Sequence, residues 1–410
     1  MLLLYDLGIY FYSLFVRLAS LKSKKALSWV RGRKNILELI EQSLDKNVFY
    51  IWFHFASLGE FEQGRPVLEQ LKNEDPESRI IITFFSPSGY EIRKNYALAD
   101  HVFYLPADTA KNAREFIRIV NPRMAVFTKY EYWYHYFDEL HKNRIPLLMI
   151  SGIFRKEQPF FKWYGALHRK MLTRVSYFFV QNETSRKLLS ELGITNSMVS
   201  GDTRFDRVAD NATHAPGLQK VQEFAEGKKV FIAGSTWMED EKLIAILARH
   251  NPGWKFIIAP HEINPGRILE TEKLFPGSIK YSALKATSDI PINELQVLII
   301  DNIGMLSALY QYGHIAYIGG GFGAGIHNTL EAAAFGLPVI FGPNYEKFME
   351  AKQLIEIGAA FTIKTREELD NCMSDLLDDG FRIKSGAAAK EYVRQNTGAT
   401  QKILDYINQK

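Results

Sequence analysis

Three polar segments of this chain carry residue types that could do chemistry. The first is His54-Phe-Ala-Ser57-Leu-Gly59-Glu60-Phe-Glu62. Glu60 follows a glycine, just after a run that reads as a strand, at the mouth of a helix. A carboxylate there can take a proton from a hydroxyl, with Ser57 and Gly59 beside it for the acceptor. The same spacing also fits a capping box, with Ser57 as N-cap and Glu60 three residues on. The second segment is Thr128-Lys129-Tyr-Glu131-Tyr-Trp133, again after a strand. Glu131 reads either as a second carboxylate facing the same space or as a helix first-turn acid. Lys129 could bind an anionic sugar. The third is Gly201-Asp-Thr-Arg204-Phe-Asp206. The Arg204 guanidinium suits a carboxylate or phosphate, or else forms a surface pair with Asp206 of little worth.

A fourth segment is the glycine run from Ile318 to Asn344. Gly319, Gly320, Gly321, Gly323 and Gly325 leave the main chain bare and free to adopt positive φ. His327, Asn328, Thr329 and Leu330 stand where a helix begins, with Glu331 one turn in. A helix N-terminus favours an anion, so this stretch is expected to meet a phosphate on one side and hydroxyls on the other. That is the donor-site chemistry of a sugar-nucleotide enzyme. Gly234-Ser235-Thr236, Pro260-His261 and Ile303-Gly304-Met305 also follow strands and suit a nucleotide, although His261 alone reads equally well as structural. No Asp-x-Asp stands at a strand end, so a metal-free site without a cofactor is expected. There is no Gly-x-Ser-x-Gly elbow and no Walker loop.

The elements that must position these residues alternate strand and helix in two halves, the pattern of parallel sheets with covering helices. In such sheets ligands lie beyond the carboxyl ends of the strands, where every segment above falls. The expected divisions are an apolar and basic helix region at 1–35, a first domain at 36–209, a linker at 210–220, a second domain at 221–385 and a C-terminal helix at 386–410. A length of 410 residues favours two domains. With 47% hydrophobic and 23% charged residues the chain is globular, and a formal charge of +4 argues against bulk nucleic-acid binding. A single cysteine, Cys372, points to a reducing compartment. Leu2 to Ala19 is apolar and is followed by Lys22, Lys24, Lys25, Arg31, Arg33 and Lys34. That order suits an interfacial helix on an anionic membrane face. A spanning helix, or one packed against the domain, is the alternative.

Taken in order, Ser57-Leu-Gly-Glu60, Glu131-x-Trp133, Gly201-Asp-Thr-Arg204-Phe-Asp206, Gly234-Ser-Thr236, Asp301-Asn-Ile-Gly304, His327-Asn-Thr-Leu-Glu331 and Gly342-Pro343 resemble the 3-deoxy-D-manno-octulosonic acid (Kdo) transferase family. The resemblance implies a GT-B fold, an α/β architecture of two Rossmann-like doubly wound domains facing a cleft. It implies CMP-Kdo as donor, the lipid A precursor as acceptor, and the cytoplasmic face of the inner membrane. By the same resemblance Glu60 is the general base of an inverting transfer, assisted by Glu131 and Arg204. The nucleotide contacts would include Pro260, His261, Ile303, Gly304, Asn328 and Glu331. The chain departs from the family pattern at Lys129 (usually Glu), Arg204 (usually Lys), Ala259-Pro-His261 (usually Pro-Arg-His), Met305 (usually an acid) and Thr329 (usually Pro). Other GT-B enzymes, a lipid A disaccharide synthase or a UDP-sugar 2-epimerase, are the nearest alternatives, with a non-catalytic lipid- or sugar-binding relative beyond them.

Overall fold

The computed structural model describes residues 1–284 and 291–409, and divides into two units. The first comprises Met1–Asp206 and Thr397–Lys410, the second Arg207–Asn396. Each is built on one seven-stranded, all-parallel sheet.

In the first unit the strands are β1 (Tyr50–Phe55), β2 (Arg79–Phe84), β3 (His101–Tyr104), β4 (Pro122–Thr128), β5 (Leu147–Gly152), β6 (Tyr177–Val180) and β7 (Ser197–Val199). Their spatial order is β3-β2-β1-β4-β5-β6-β7. The run Tyr50–Phe55 is buried at every position, as a strand covered on both faces must be. Alternate side chains serve opposite layers. Tyr50 and Trp52 enter the core that holds Phe116 and Phe127, whereas Ile51, Phe53 and Phe55 enter the one that holds Phe61 and Leu68.

In the second unit the strands are β8 (Lys229–Thr236), β9 (Trp254–Pro260), β10 (Ile279–Lys280), β11 (Val297–Ile299), β12 (Ile315–Ile318), β13 (Val339–Phe341) and β14 (Ala360–Thr362). Their order is β10-β11-β9-β8-β12-β13-β14. Strands β7, β10 and β14 were not anticipated; at two or three residues they are too short to show a periodic pattern.

Both sheets reverse direction of growth once, between β1 and β4 and between β8 and β12. Such a switch point opens a crevice at the carboxyl ends of the two strands. The segments after β1, β4 and β12 hold Glu60, Glu131 and the glycine run, and the end of β8 holds Ser235.

Four helices at the start of the chain matter below. They are α1 (Leu2–Ala19), α2 (Lys24–Arg31), α3 (Ile36–Ser43) and α4 (Leu58–Glu74). No residue of α1 is buried, so the alternative of a helix packed into the domain does not hold. It touches the first unit through the Tyr5 hydroxyl, which donates to Asp108, and through Asp6, which lies 2.6 Å from His135 Nε2.

Two expected divisions are corrected. Residues 210–213 complete the helix Thr203–Thr213, and the chain leaves the first unit inside that helix, at Asp206. The expected single helix over 386–410 is two helices in different units, Asp379–Gln395 and Ala399–Ile407. Gly398, at φ 102, turns the chain between them. Asp206 then caps the last helix, accepting from the Gly398 N–H and from the Thr400 N–H and hydroxyl at 2.7 and 2.8 Å. The last helix also stacks Tyr406 on Tyr177, with ring centroids 4.4 Å apart.

Candidate active site

Glu60 lies in the first turn of α4, with Ser57 at the N-cap. Gly64, one turn on, lets this helix approach β1 closely: a Cβ there would come within 2.3 Å of the Phe55 ring. The capping box is half made. The Ser57 hydroxyl donates to Glu60 Oε2 at 3.2 Å, but the Ser57 side chain caps no helix N–H. Burial and the Glu131 charge push the Glu60 carboxyl up to about 7, against opposing effects of Ser57 and Lys129. A carboxyl titrating there is suited to take a proton near neutral pH. Gly59 beside it is exposed, and a Cβ would meet nothing nearer than 3.9 Å.

Glu131 is buried, at 9% exposure. Its Oε2 accepts from Trp133 Nε1 at 2.8 Å and lies 3.2 Å from His54 Nε2. His54 is fully buried on β1, and its Nδ1 lies 2.8 Å from Thr83 Oγ1, which accepts from Trp52 Nε1 at 2.8 Å. Trp52 donates to Thr83, Thr83 pairs with His54 Nδ1, and His54 Nε2–H points at the Glu131 carboxylate. The second carboxylate is therefore fixed in place by His54 and Trp133. Sequence reasoning gave His54 no role, because its direction depends on the alternation of β1, which turns it to the same face as Trp52.

Lys129 has φ 62, an uncommon conformation for a non-glycine residue that gathers at functional sites. Arg204 is held by Asp202, with Nε and an Nη on Oδ2 at 2.9 and 2.8 Å. Its expected alternative partner, Asp206, is the helix cap described above. The first unit thus brings together Ser57, Gly59, Glu60, Lys129 and Glu131.

In the second unit the expected turn Gly234–Thr236 is instead the end of β8. The ladder with β9 shifts register between Gly234 and Thr236, and Ser235 at the bulge has φ 53. Thr236 is buried and donates its hydroxyl to Glu241 at 2.7 Å. Parts of the glycine run face backbone. A Cβ on Gly319 would stand 2.3 Å from the Ser235 carbonyl oxygen, and one on Gly321 2.6 Å from the Gly342 backbone. Those two glycines allow close packing of the end of β8 and the loops after β12 and β13, while Gly320, Gly323 and Gly325 line a cavity. Gly320, at φ 91, donates its N–H to Asp240 at 3.0 Å. Asp240 also accepts from Tyr317 and from the Trp237 N–H, so one buried acid braces the loop against β12.

Around this loop three rings stack. Trp237 lies on His261 with centroids 4.9 Å apart, and His261 on His327 at 4.3 Å. The Trp237 indole donates to His327 Nε2 at 3.2 Å. Burial and His261 lower His327 to about 4, which keeps it neutral. A cavity of about 290 Å3 opens here between Trp237, Phe322 and His327.

The helix after the run is short, Leu330–Ala334, and offers little dipole to a phosphate. Asn328 caps it by accepting from the Leu330 N–H and also donates to Glu331 at 3.0 Å. Burial raises the Glu331 carboxyl, opposed by Asn328 and by Arg207, a cation the sequence reading passed over. Leu330 and Thr329 are buried. Pro260 is buried at the end of β9, whereas Ile303 and Gly304 are exposed after β11 and Met305 is partly so. Among the described residues no group of three His, Cys, Asp or Glu side chains could hold a metal ion.

The two sheets with their switch points define the GT-B class of α/β proteins. Among solved structures, UDP-GlcNAc 2-epimerase from Neisseria meningitidis bound to UDP-GlcNAc shares the fold, with a TM-score of 0.62 at 16% identity over 88% of this chain and all of that one. Residues 22–207 match the family model of 3-deoxy-D-manno-octulosonic-acid transferase. The chain is 29% identical to the Kdo transferase of Rickettsia bellii over 97% of its own length and 94% of that protein's. It is 27% identical to that of Haemophilus influenzae over 87% and 86%. The chain is thus similar to Kdo transferases over almost its whole length, and these relatives indicate a glycosyltransferase.

Proposed function

We propose that this protein transfers Kdo from CMP-Kdo to the lipid A precursor, with inversion at the anomeric carbon. Glu60 takes the proton from a primary sugar hydroxyl of the acceptor. The freed oxygen bonds to the anomeric carbon, and CMP leaves from the opposite face with the bonding electron pair. The observation that carries this reading is the Glu60 carboxyl, half-buried at the β1/β4 switch point and raised to about 7. Glu131 sustains that value. On the donor side, the reading uses the ring stack of Trp237, His261 and His327, which offers a flat face to a pyrimidine; in the first unit it uses Arg204 as an electrostatic aid.

The test is release of CMP, and mass gain of a tetra-acylated lipid A precursor, on incubation with CMP-Kdo. Glu60→Ala is expected to slow turnover by about 10²–10⁴; near-full activity in that variant would remove Glu60 as the base. We also propose that the reaction needs no metal. Treatment with EDTA is then expected to leave the rate unchanged, and a loss restored by Mg²⁺ would overturn this.

We propose further that α1 places the enzyme on the anionic face of the inner membrane, at its cytoplasmic side. This helix is long and apolar enough to cross a bilayer. The hydrogen bonds that Tyr5 donates to Asp108 and Asp6 shares with His135 favour lying along the interface, since a spanning helix would have to give them up.

A further inference from the structure

A second cavity in the first unit, of about 520 Å3, has no part in the chemistry above. It lies where α1 meets the turn between α2 and α3. Trp29, Ile36, Leu37 and Pro106 give it apolar walls. Arg17, Arg31 and Lys34 also line it, and among the described residues none of these three side chains has a hydrogen bond or an ion pair. One acid, Glu38, stands among the lining groups.

Arg33 is a wall rather than a free cation. It donates to the carbonyls of Leu105 at 2.8 Å and Phe85 at 2.7 Å, and its guanidinium lies 4.0 Å over the Trp29 ring. Trp29 itself is 7% exposed, and its indole N–H is buried without an acceptor. Such a donor is normally satisfied. Helix α1, which lends Arg17 to the cavity, exposes Phe11, Phe15 and Leu18.

Three unpaired cations ask for a group with several acceptor oxygens, as a phosphate has. The apolar walls and the exposed face of α1 ask for hydrocarbon attached to it. We propose that this cavity binds the phosphate head of a membrane phospholipid whose acyl chains lie against α1. The inference rests on the membrane-surface reading of α1 and gives that surface a specific lipid site.

Two measurements test it. The protein is titrated with short-chain, soluble phosphatidic acid and with inorganic phosphate while its Tm is followed, since a ligand of the native state raises Tm. It is then co-sedimented with phosphatidylcholine vesicles containing phosphatidic acid. The variants are Arg17→Gln/Arg31→Gln/Lys34→Gln together, Trp29→Phe, and a control of equal charge loss outside the cavity, Lys22→Gln/Lys24→Gln/Lys25→Gln.

The soluble lipid is expected to raise Tm in the wild type and the control but not in the cavity triple variant, and less in Trp29→Phe. Vesicle affinity is expected to fall on the order of a hundredfold in the cavity variant, and by much less in the control. Equal losses in the two triple variants would replace the site by diffuse charge and overturn the inference. So would a Tm response to inorganic phosphate as large as that to the lipid, or no response of the wild type to either. A wild type that takes the soluble lipid but ignores vesicles keeps the site and removes the membrane-surface reading instead.

Discussion

Glu60 owes its proton affinity to opposed neighbours. Burial and the Glu131 charge raise it to about 7, while the Ser57 contacts and the Lys129 charge pull it down. The base is active when ionised, so the rate should rise with pH to a plateau, with a midpoint near 7. Glu131→Gln removes a like charge, and the midpoint should move to lower pH; a profile of kcat/KM against pH checks this. An unmoved midpoint would mean that Glu131 does not reach Glu60 through its charge. Glu60 and Glu131 were legible in the sequence because each closely follows a strand, Glu60 in the first turn of a helix and Glu131 in the loop before one. Their polar setting was not. The chain Trp52–Thr83–His54–Glu131 joins two strands and the loop after β4, and no local pattern links residues 29 or 77 positions apart.

At the scale of elements, the end of β8 and the loops after β12 and β13 touch backbone to backbone. Gly319→Ala would put a Cβ 2.3 Å from the Ser235 carbonyl oxygen. It should cost about 1–3 kcal/mol of stability, read from denaturant unfolding, and raise the KM for donor. Gly59→Ala is its counterpart. Gly59 lies in the first turn of α4 with open space around it, so stability should hold or gain about 0.4–1 kcal/mol. If the acceptor approaches there, the KM for lipid should rise. The sequence announced the glycine run but not that Gly319 and Gly321 would face backbone. Glycine clusters look alike whether a ligand or another stretch of backbone comes close. The Ser235 bulge was hidden for a related reason, since a non-glycine residue at positive φ carries no distinctive signal.

For the molecule as a whole, α1 is the element with most apolar surface left uncovered. Phe15 is 70% exposed and Leu3 71%. A chain beginning at Lys22 should keep its far-UV circular dichroism, less one helix, and its cooperative unfolding, because α1 buries no residue of its own. It should lose co-sedimentation with anionic vesicles. Retained binding would move the membrane contact elsewhere on the first unit. The last helix shows the limit of reading along the chain. Residues 399–407 follow a helix of the second unit directly yet belong to the first, capped there by Asp206.

The sequence alone determined the parallel α/β class, the two-part organisation, the apolar first helix and the two carboxylates. These follow from local periodicity and from residue type at strand ends, which neighbouring positions suffice to set. Only the tertiary structure decided that Glu60 titrates near 7, that His54 holds Glu131, that Gly319 and Gly321 pack loops, and that Trp29 and three cations line one cavity. Each of these depends on burial or on distance between residues far apart in the chain, and such quantities exist only once the sheets have assembled.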